Sequence, residues 1–295
     1  MKVLEEEPQQ RKDAHLVHAS PTHVIDFHTH IFPDKIVDRA LEALRASYKV
    51  APVVRPTVAG LLETMDGAGI DVAVSVPVAT RADQVRSINE WAAEVQQAHA
   101  DRLVCFGALH PGLSDVAGEV DYIGELGLQG IKLQPNFQEC SPEDPRLFPA
   151  YEAAIERGLV ILFHSGQEIK EFERVYSTPA SLSRVHARFP QLTMVIAHLG
   201  GYQMWGEVRR HLVGKQVYLD ASYCPPEQLP DEEFLGLIRS HGTSRVVFGS
   251  DFPWANPGKD VGRLGQLGLL ASELEAIAWK NAASLLRSNV SVALN

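Results

Sequence analysis

Eight short apolar runs recur along the chain, separated by segments with the punctuation of helices. The runs are Val24–His28, Asp71–Val78, Arg102–His110, Leu128–Gln134, Leu159–His164, Leu192–His198, Val217–Ser222 and Arg245–Asp251. Each is close to continuous in Val, Ile and Leu rather than alternating, as a strand covered on both faces of a parallel sheet requires. Between them, helical spacing or helix start and stop residues mark Asp34–Tyr48, Asp83–His99, Asp115–Leu126, Pro145–Arg157, a helix from Thr178-Pro179 that closes before Pro190, Gln203–Leu212, Pro226–His241 and Ser272–Ser288. Thr178 with Pro179 supplies an N-cap and a proline at the first helical position, and Gly158 is a C-terminal stop. Eight strand–helix alternations over about 250 residues predict an α/β chain closed into a (β/α)8 TIM barrel. An open doubly wound sheet is the runner-up, but its glycine-rich first turn is replaced here by His28-Thr29-His30.

The chain is expected to hold a single barrel domain over residues 23–295, preceded by a polar leader over 1–22, either frayed or strapped across the barrel floor. Glu5, Glu6 and Glu7 stand where a signal peptide would carry its apolar segment. His15, His18 and His23 of the leader read as solvated. Cys105, Cys140 and Cys224 are far apart and lack thiolate-site spacing, which fits free thiols in a reducing cytoplasm. The formal charge of −10 comes with no basic stripe, so nucleic acid is not an expected partner. No apolar run approaches the roughly 20 residues of a membrane span. A small-molecule substrate is therefore the expected partner, and a homo-oligomer stays open.

Barrel active sites form at the C-terminal ends of the strands. The polar residues that end these runs are His28 and His30 on the first, His110 on the third, and Lys132 and Gln134 on the fourth. The fifth to eighth contribute His164, His198, Asp220 and Asp251. A lone histidine in an apolar run is more often a packed core residue than a ligand. Several at one rim point together to a divalent metal. Residues two apart on a strand share a face, so His28 and His30 can converge on one ion. His164 and Asp251 would close the shell, Asp251 could also take the proton of a metal-activated water, and His198 would bind a second metal or polarise a substrate oxygen. Trp205, Tyr223, Phe137, Phe252 and Trp254 follow strands and either wall a pocket or pack loops. Arg55 and Arg81 follow early strands and could bind a carboxylate, but each reads rather as solvated.

The stretches IDFHTH (25–30), GIKLQP (130–135), LVILFHSG (159–166), VIAHLGG (195–201) and VVFGSDFPW (246–254) resemble the amidohydrolase superfamily, in particular its amidohydrolase-related branch that includes aminocarboxymuconate-semialdehyde decarboxylase. The resemblance implies that His28, His30, His164 and Asp251 bind a divalent ion, usually zinc, and that His198 orients water or stabilises the substrate. One ion is favoured and a second left open. In binuclear members a carboxylated strand-four lysine bridges two metals. Lys132 lies on that strand but three residues before Pro135, and is expected to stand behind the ligands or to meet substrate charge. His110 and Trp254 are further substrate-side candidates, and Gln134 stands where relatives often carry histidine. Asn281, in a closing helix, is expected to be structural. The expected activity is hydrolysis of a small amide, ester or lactone by a metal-activated water at the barrel mouth. The alternative is non-oxidative decarboxylation, or hydration, of a small unsaturated or aromatic acid. A non-catalytic barrel is disfavoured because degenerate members usually lose ligands.

Overall fold

The computed structural model describes residues 20–45, 51–169 and 172–286. Among the described residues, nine short parallel strands build the barrel: β1 (Ile25–Thr29), β2 (Val72–Ser75), β3 (Leu103–Cys105), β4 (Gly107–Ala108), β5 (Gly130–Leu133), β6 (Val160–Phe163), β7 (Met194–Ile196), β8 (Tyr218–Asp220) and β9 (Val246–Val247). β3 and β4 are one barrel strand interrupted at Phe106, so the expected eight-strand register is present. The strands pair in the orders β1-β2-β3 and β4-β5-β6-β7-β8-β9. Phe106 N–H donates to Ser75 O at 2.9 Å across the interruption. The seam between the last and first strands closes through Phe27 N–H to Phe248 O at 2.9 Å and Asp251 N–H to His28 O at 2.8 Å.

Alternation along the strands separates two layers. Ala73, Leu103, Ile131, Ile161, Phe163, Met194 and Ile196 face outward to the helices. Ile25, Phe27, Val72, Val74, Val104, Phe106, Val160, Leu162, Val195 and Val247 point inward and fill the lower barrel as an apolar plug. Ala282 and Leu286 complete the plug from below. Asn281 holds this closing segment by donating from Nδ2 to Thr243 O and Val246 O, both at 2.8 Å. The structural role expected of Asn281 is met.

Most expected helices appear, including α3 (Val85–Ala98), α4 (Val116–Glu125), α5 (Phe148–Arg157) and α6 (Pro179–Arg188), numbered after α1 (Val37–Arg45) and α2 (Val58–Ala68). The Thr178 cap is realised, with its hydroxyl accepting from Ser181 N. Three differences stand out. The helix expected from Pro226 begins only at Asp231, behind Pro230. Two helices lack any sequence expectation: α2 and the segment Pro257–Gln266. Both are rich in glycine, which lowers helix propensity; they pack against each other, Ala68 Cβ lying 3.6 Å from where a Cβ on Gly258 would stand. Their caps, Thr57 and Asn256, do accept backbone N–H groups as helix starts require.

Most of the leader, residues 1–19 with His15 and His18, lies outside the described residues. Its end is fixed to the barrel floor, where Thr22 N and Oγ1 donate to the Glu275 carboxylate at 2.7 and 2.6 Å. His23 is not simply solvated, for it packs edge-on against Trp279. Among the described residues no helix is long and apolar enough to cross a membrane.

Candidate metal centre

Strand periodicity delivers most of the site. Along β6, Val160 and Leu162 belong to the plug, and the next inward position is His164; along β5 the same count leads to Lys132 and Gln134. Asp220 and Ser222 follow from β8, and Asp251 from β9 two residues beyond Gly249. A side chain at Gly249 would press its Cβ to 3.0 Å from the Cβ of His28, so the glycine leaves room for the first histidine.

Two positions break the count. On β1, three residue steps from Asp26 to Thr29 are matched by two on β2 from Ala73 to Ser75, a β-bulge. The extra residue lets Phe27 join the plug while His28 turns into the mouth. Asp26 is left outside, accepting from Ser250 N–H and Oγ–H and from His28 N–H. On β7, Ala197 packs in the plug, and His198 reaches the mouth because its φ is +59°. Asp251 at +65° and Tyr223 at +44° share that left-handed conformation. Strain of this kind concentrates at functional sites.

The mouth gathers His28, His30, Lys132, Gln134, His164, Gln167, Glu168, His198, Tyr202, Tyr223, Asp251 and Trp254 around one small cavity. His28 Nε2 lies 3.1 Å from His30 Nε2, and Asp251 Oδ1 lies 3.4 and 3.2 Å from these two nitrogens. His28, His30 and Asp251 each offer one ligand atom within 4.8 Å of the others. Asp220 sets the tautomer of His28. Its carboxylate, which burial would push up, is held well below its ordinary range by the His28 and His198 imidazoles and by the Ser222 hydroxyl. It therefore accepts the Nδ1–H of His28 at 2.9 Å, and the Nε2 lone pair turns toward the other two donors. Two imidazole nitrogens and a carboxylate oxygen converging in this way make a donor set that fits a divalent cation, which would displace the proton now shared by His30 and Asp251.

His164 stands beside this triangle rather than in it. Its Nδ1 is 3.1 Å from His198 Nε2, while its Nε2 meets Gln167 O and Glu168 Oε1, each at 3.0 Å. His198 is anchored through Nδ1 to Ser222 O at 3.2 Å and Ser222 Oγ at 3.0 Å. Burial holds both histidines below their ordinary value. Asp251 is pushed up by burial but pulled further down by the His30 hydrogen bond and the His28 and His198 charges.

Lys132 is fully buried, with Nζ 3.1 Å from His28 Nε2. Desolvation lowers it to about 8, against the pull of Asp251, Asp220 and Glu168. It reaches the ligand cluster itself, deeper in the chain's count than the Pro135 turn but not out of range. Burial and the Lys132 charge together lower His28 to about 4.

His110 does not join the site. Its ring turns back to accept Gly112 N–H at 3.0 Å, closing the turn after β4. Trp254 and Tyr223 line the cavity. Phe252 is buried in the core, Phe137 packs against Phe172, and Trp205 donates to His198 O at 3.1 Å. Arg55 and Arg81 pair with exposed aspartates. Sequence reasoning did not single out Glu168, Gln167, Tyr202 or Ser222. Glu168 is buried and accepts from Gln134 Nε2 at 3.0 Å and Asn136 Nδ2 at 3.2 Å. Only its place four residues after His164 hinted at this.

The sequence profile of the amidohydrolase family matches residues 25–288. The chain belongs to that family, a family of enzymes on TIM barrels, and its mouth carries a site for a divalent metal. No curated protein matches the sequence. Among solved structures, 5-carboxyvanillate decarboxylase from Sphingomonas paucimobilis is 17% identical, with a TM-score of 0.71 over 90% of this chain and 99% of that one. The 5-carboxyvanillate decarboxylase from Novosphingobium aromaticivorans, complexed with manganese and 4-hydroxy-3-methoxy-5-nitrobenzoic acid, is 16% identical, with a TM-score of 0.69 over 89% and 95%. The 2,6-dihydroxybenzoate decarboxylase from Rhizobium is 14% identical, with a TM-score of 0.67 over 89% and 98%. At such identities these likenesses establish the barrel fold. They also correct the expectation of a hydrolase, since the 5-carboxyvanillate and 2,6-dihydroxybenzoate enzymes among them are decarboxylases.

Proposed function

We propose that the protein is a divalent-metal-dependent, non-oxidative decarboxylase of a small aromatic or unsaturated acid. The observation that carries this reading is Lys132, a buried cation 3.1 Å from His28 Nε2 at the floor of the mouth. Hydrolysis of a neutral amide or ester does not call for a cation among the ligands, whereas a substrate carboxylate adds an anion that pairs with it. The decarboxylases of the same fold support the same direction.

His28, His30 and Asp251 would hold the ion, with His164 beside them. When bound, a divalent cation supplies positive charge that fixes anionic substrate oxygens and offsets charge developing on them. Lys132 binds the carboxylate from below. Trp254, Tyr202 and Tyr223 wall the ring and keep water away. In the reaction the ring carbon's bond to the carboxyl carbon breaks, carbon dioxide leaves, and a proton takes its place on the ring carbon. That proton comes from solvent, and Asp251, which lines the cavity beside His28 and His30, is the carrier we assign. His198, fixed by Ser222, orients the substrate.

Zinc or manganese suits a nitrogen and carboxylate donor set, and the manganese in the Novosphingobium structure supports the second. A small-molecule substrate and a cytoplasmic location belong to the same proposal. The test is to strip the protein with a chelator, reload it with manganese or zinc, and offer hydroxylated benzoic acids in heavy water. Carbon dioxide release with one deuterium on the product ring is expected from the loaded protein and none from the stripped one. Turnover without carbon dioxide release would sink the reading.

A further inference from the structure

Two tyrosines line the cavity with their rings in contact, centroids 5.5 Å apart, and their hydroxyls are treated differently. Tyr202 is buried, and its hydroxyl is tied to the side chains of Gln203 and Gln228. Tyr223 is half-buried, and among the described residues its hydroxyl has no hydrogen-bond partner. The backbone bends to place it there. Tyr223 has a φ of +44°, a left-handed conformation that strains a bulky residue. The residue before it, Ser222, is locked by hydrogen bonds to Asp220, His198 and His28, so the bend is anchored to the ligand cluster. Burial, with Tyr202 and Asp251 nearby, pushes the phenol up, which keeps it a neutral donor across the physiological range.

We infer that Tyr223 is the specificity-determining donor of this pocket: its hydroxyl, left without a protein partner by a strained and anchored turn, hydrogen-bonds an oxygen of the bound acid. The inference rests on the reading of the pocket as an acid-binding site. It distinguishes Tyr223, whose donor is kept for the ligand, from Tyr202, whose donor is spent within the protein. A single hydrogen bond to a charged or strongly polar oxygen corresponds to a 10- to 100-fold change in affinity.

The experiment is calorimetric binding of benzoate, salicylate and 2,6-dihydroxybenzoate to the manganese-loaded protein, with manganese affinity and thermal midpoint measured alongside. In Tyr223→Phe, affinity for the acid that wild type binds best is expected to fall about tenfold or more, with manganese affinity and thermal midpoint unchanged. In Tyr202→Phe, which keeps the wall ring and loses a hydroxyl bonded within the protein, the thermal midpoint is expected to drop and the loss of acid affinity to be smaller than in Tyr223→Phe. Tyr223→Phe that binds every acid as wild type does would overturn the role of Tyr223 and leave the acid-binding reading standing. Wild type that binds manganese but none of the acids would overturn both. A Tyr223→Phe variant with weakened manganese binding would place the residue in the metal's support instead, and overturn the inference as well.

Discussion

The lower and upper halves of the barrel are built from the same strands and obey opposite rules. Below, Phe27, Val74, Phe106, Leu162 and Val195 exclude water and contain no polar side chain to satisfy. Above, one or two residues further along, His28, Lys132, His164, His198, Asp220 and Asp251 are as deeply buried but satisfy one another. An apolar plug loses stability in proportion to the volume removed. A buried polar cluster loses function first, because each group's state depends on its neighbours. The neighbours Phe27 and His28 place this contrast side by side.

The sharpest break is expected at Asp251. Asp251→Asn should lower turnover on the order of a thousandfold, by several kcal/mol of lost charge stabilisation, with manganese content falling in step. Phe27→Ala should do the reverse: about 3–5 kcal/mol lost in denaturant unfolding, because a fully buried ring packed edge-on against Phe106 leaves a cavity, with metal affinity per folded molecule kept. Lys132→Met should lower kcat/KM about a hundredfold through weaker acid binding, read from saturation kinetics. Asp220→Asn should weaken manganese binding 10- to 100-fold, measured by competition with a chelator.

The smallest effect tests the wall outside the mouth. Burial raises Asp26 and Asp260 to about 7, and Asp260 Oδ2 is buried without a hydrogen-bond partner among the described residues. An acid with a raised folded-state pKa binds its proton more tightly when folded. Its contribution is fully present below the unfolded value near 4 and is lost as pH rises through 7. Asp260→Asn should therefore stabilise the protein by about 1–2 kcal/mol at pH 8, with little change at pH 4, in paired denaturant melts.

Much of this was legible from residue order. The apolar runs fixed the strands, and a period of two carried Leu162 to His164 without a structure. What stayed hidden has physical causes. The bulge at β1 and the left-handed turn at His198 shift a side chain by one position, and no composition signal marks either. The glycine-rich helices α2 and Pro257–Gln266 form through packing that propensity does not encode. Glu168 and Tyr202 come from loops, where periodicity has no hold. His110 was misplaced because ending a strand does not decide which way a ring turns.

The seam that closes the barrel also has a kinetic side. His28 and His30 leave the ribosome early and Asp251 very late; the Asp26–Ser250 hydrogen bonds beside them span 224 residues of chain. Contacts of that separation form slowly, because a long loop must be closed before anything rewards its closure. A growing chain thus has no complete ion site until its last strand docks. Any ion held jointly by the first and last strands favours the closed ring by its binding free energy, a clasp added to the backbone hydrogen bonds of the seam.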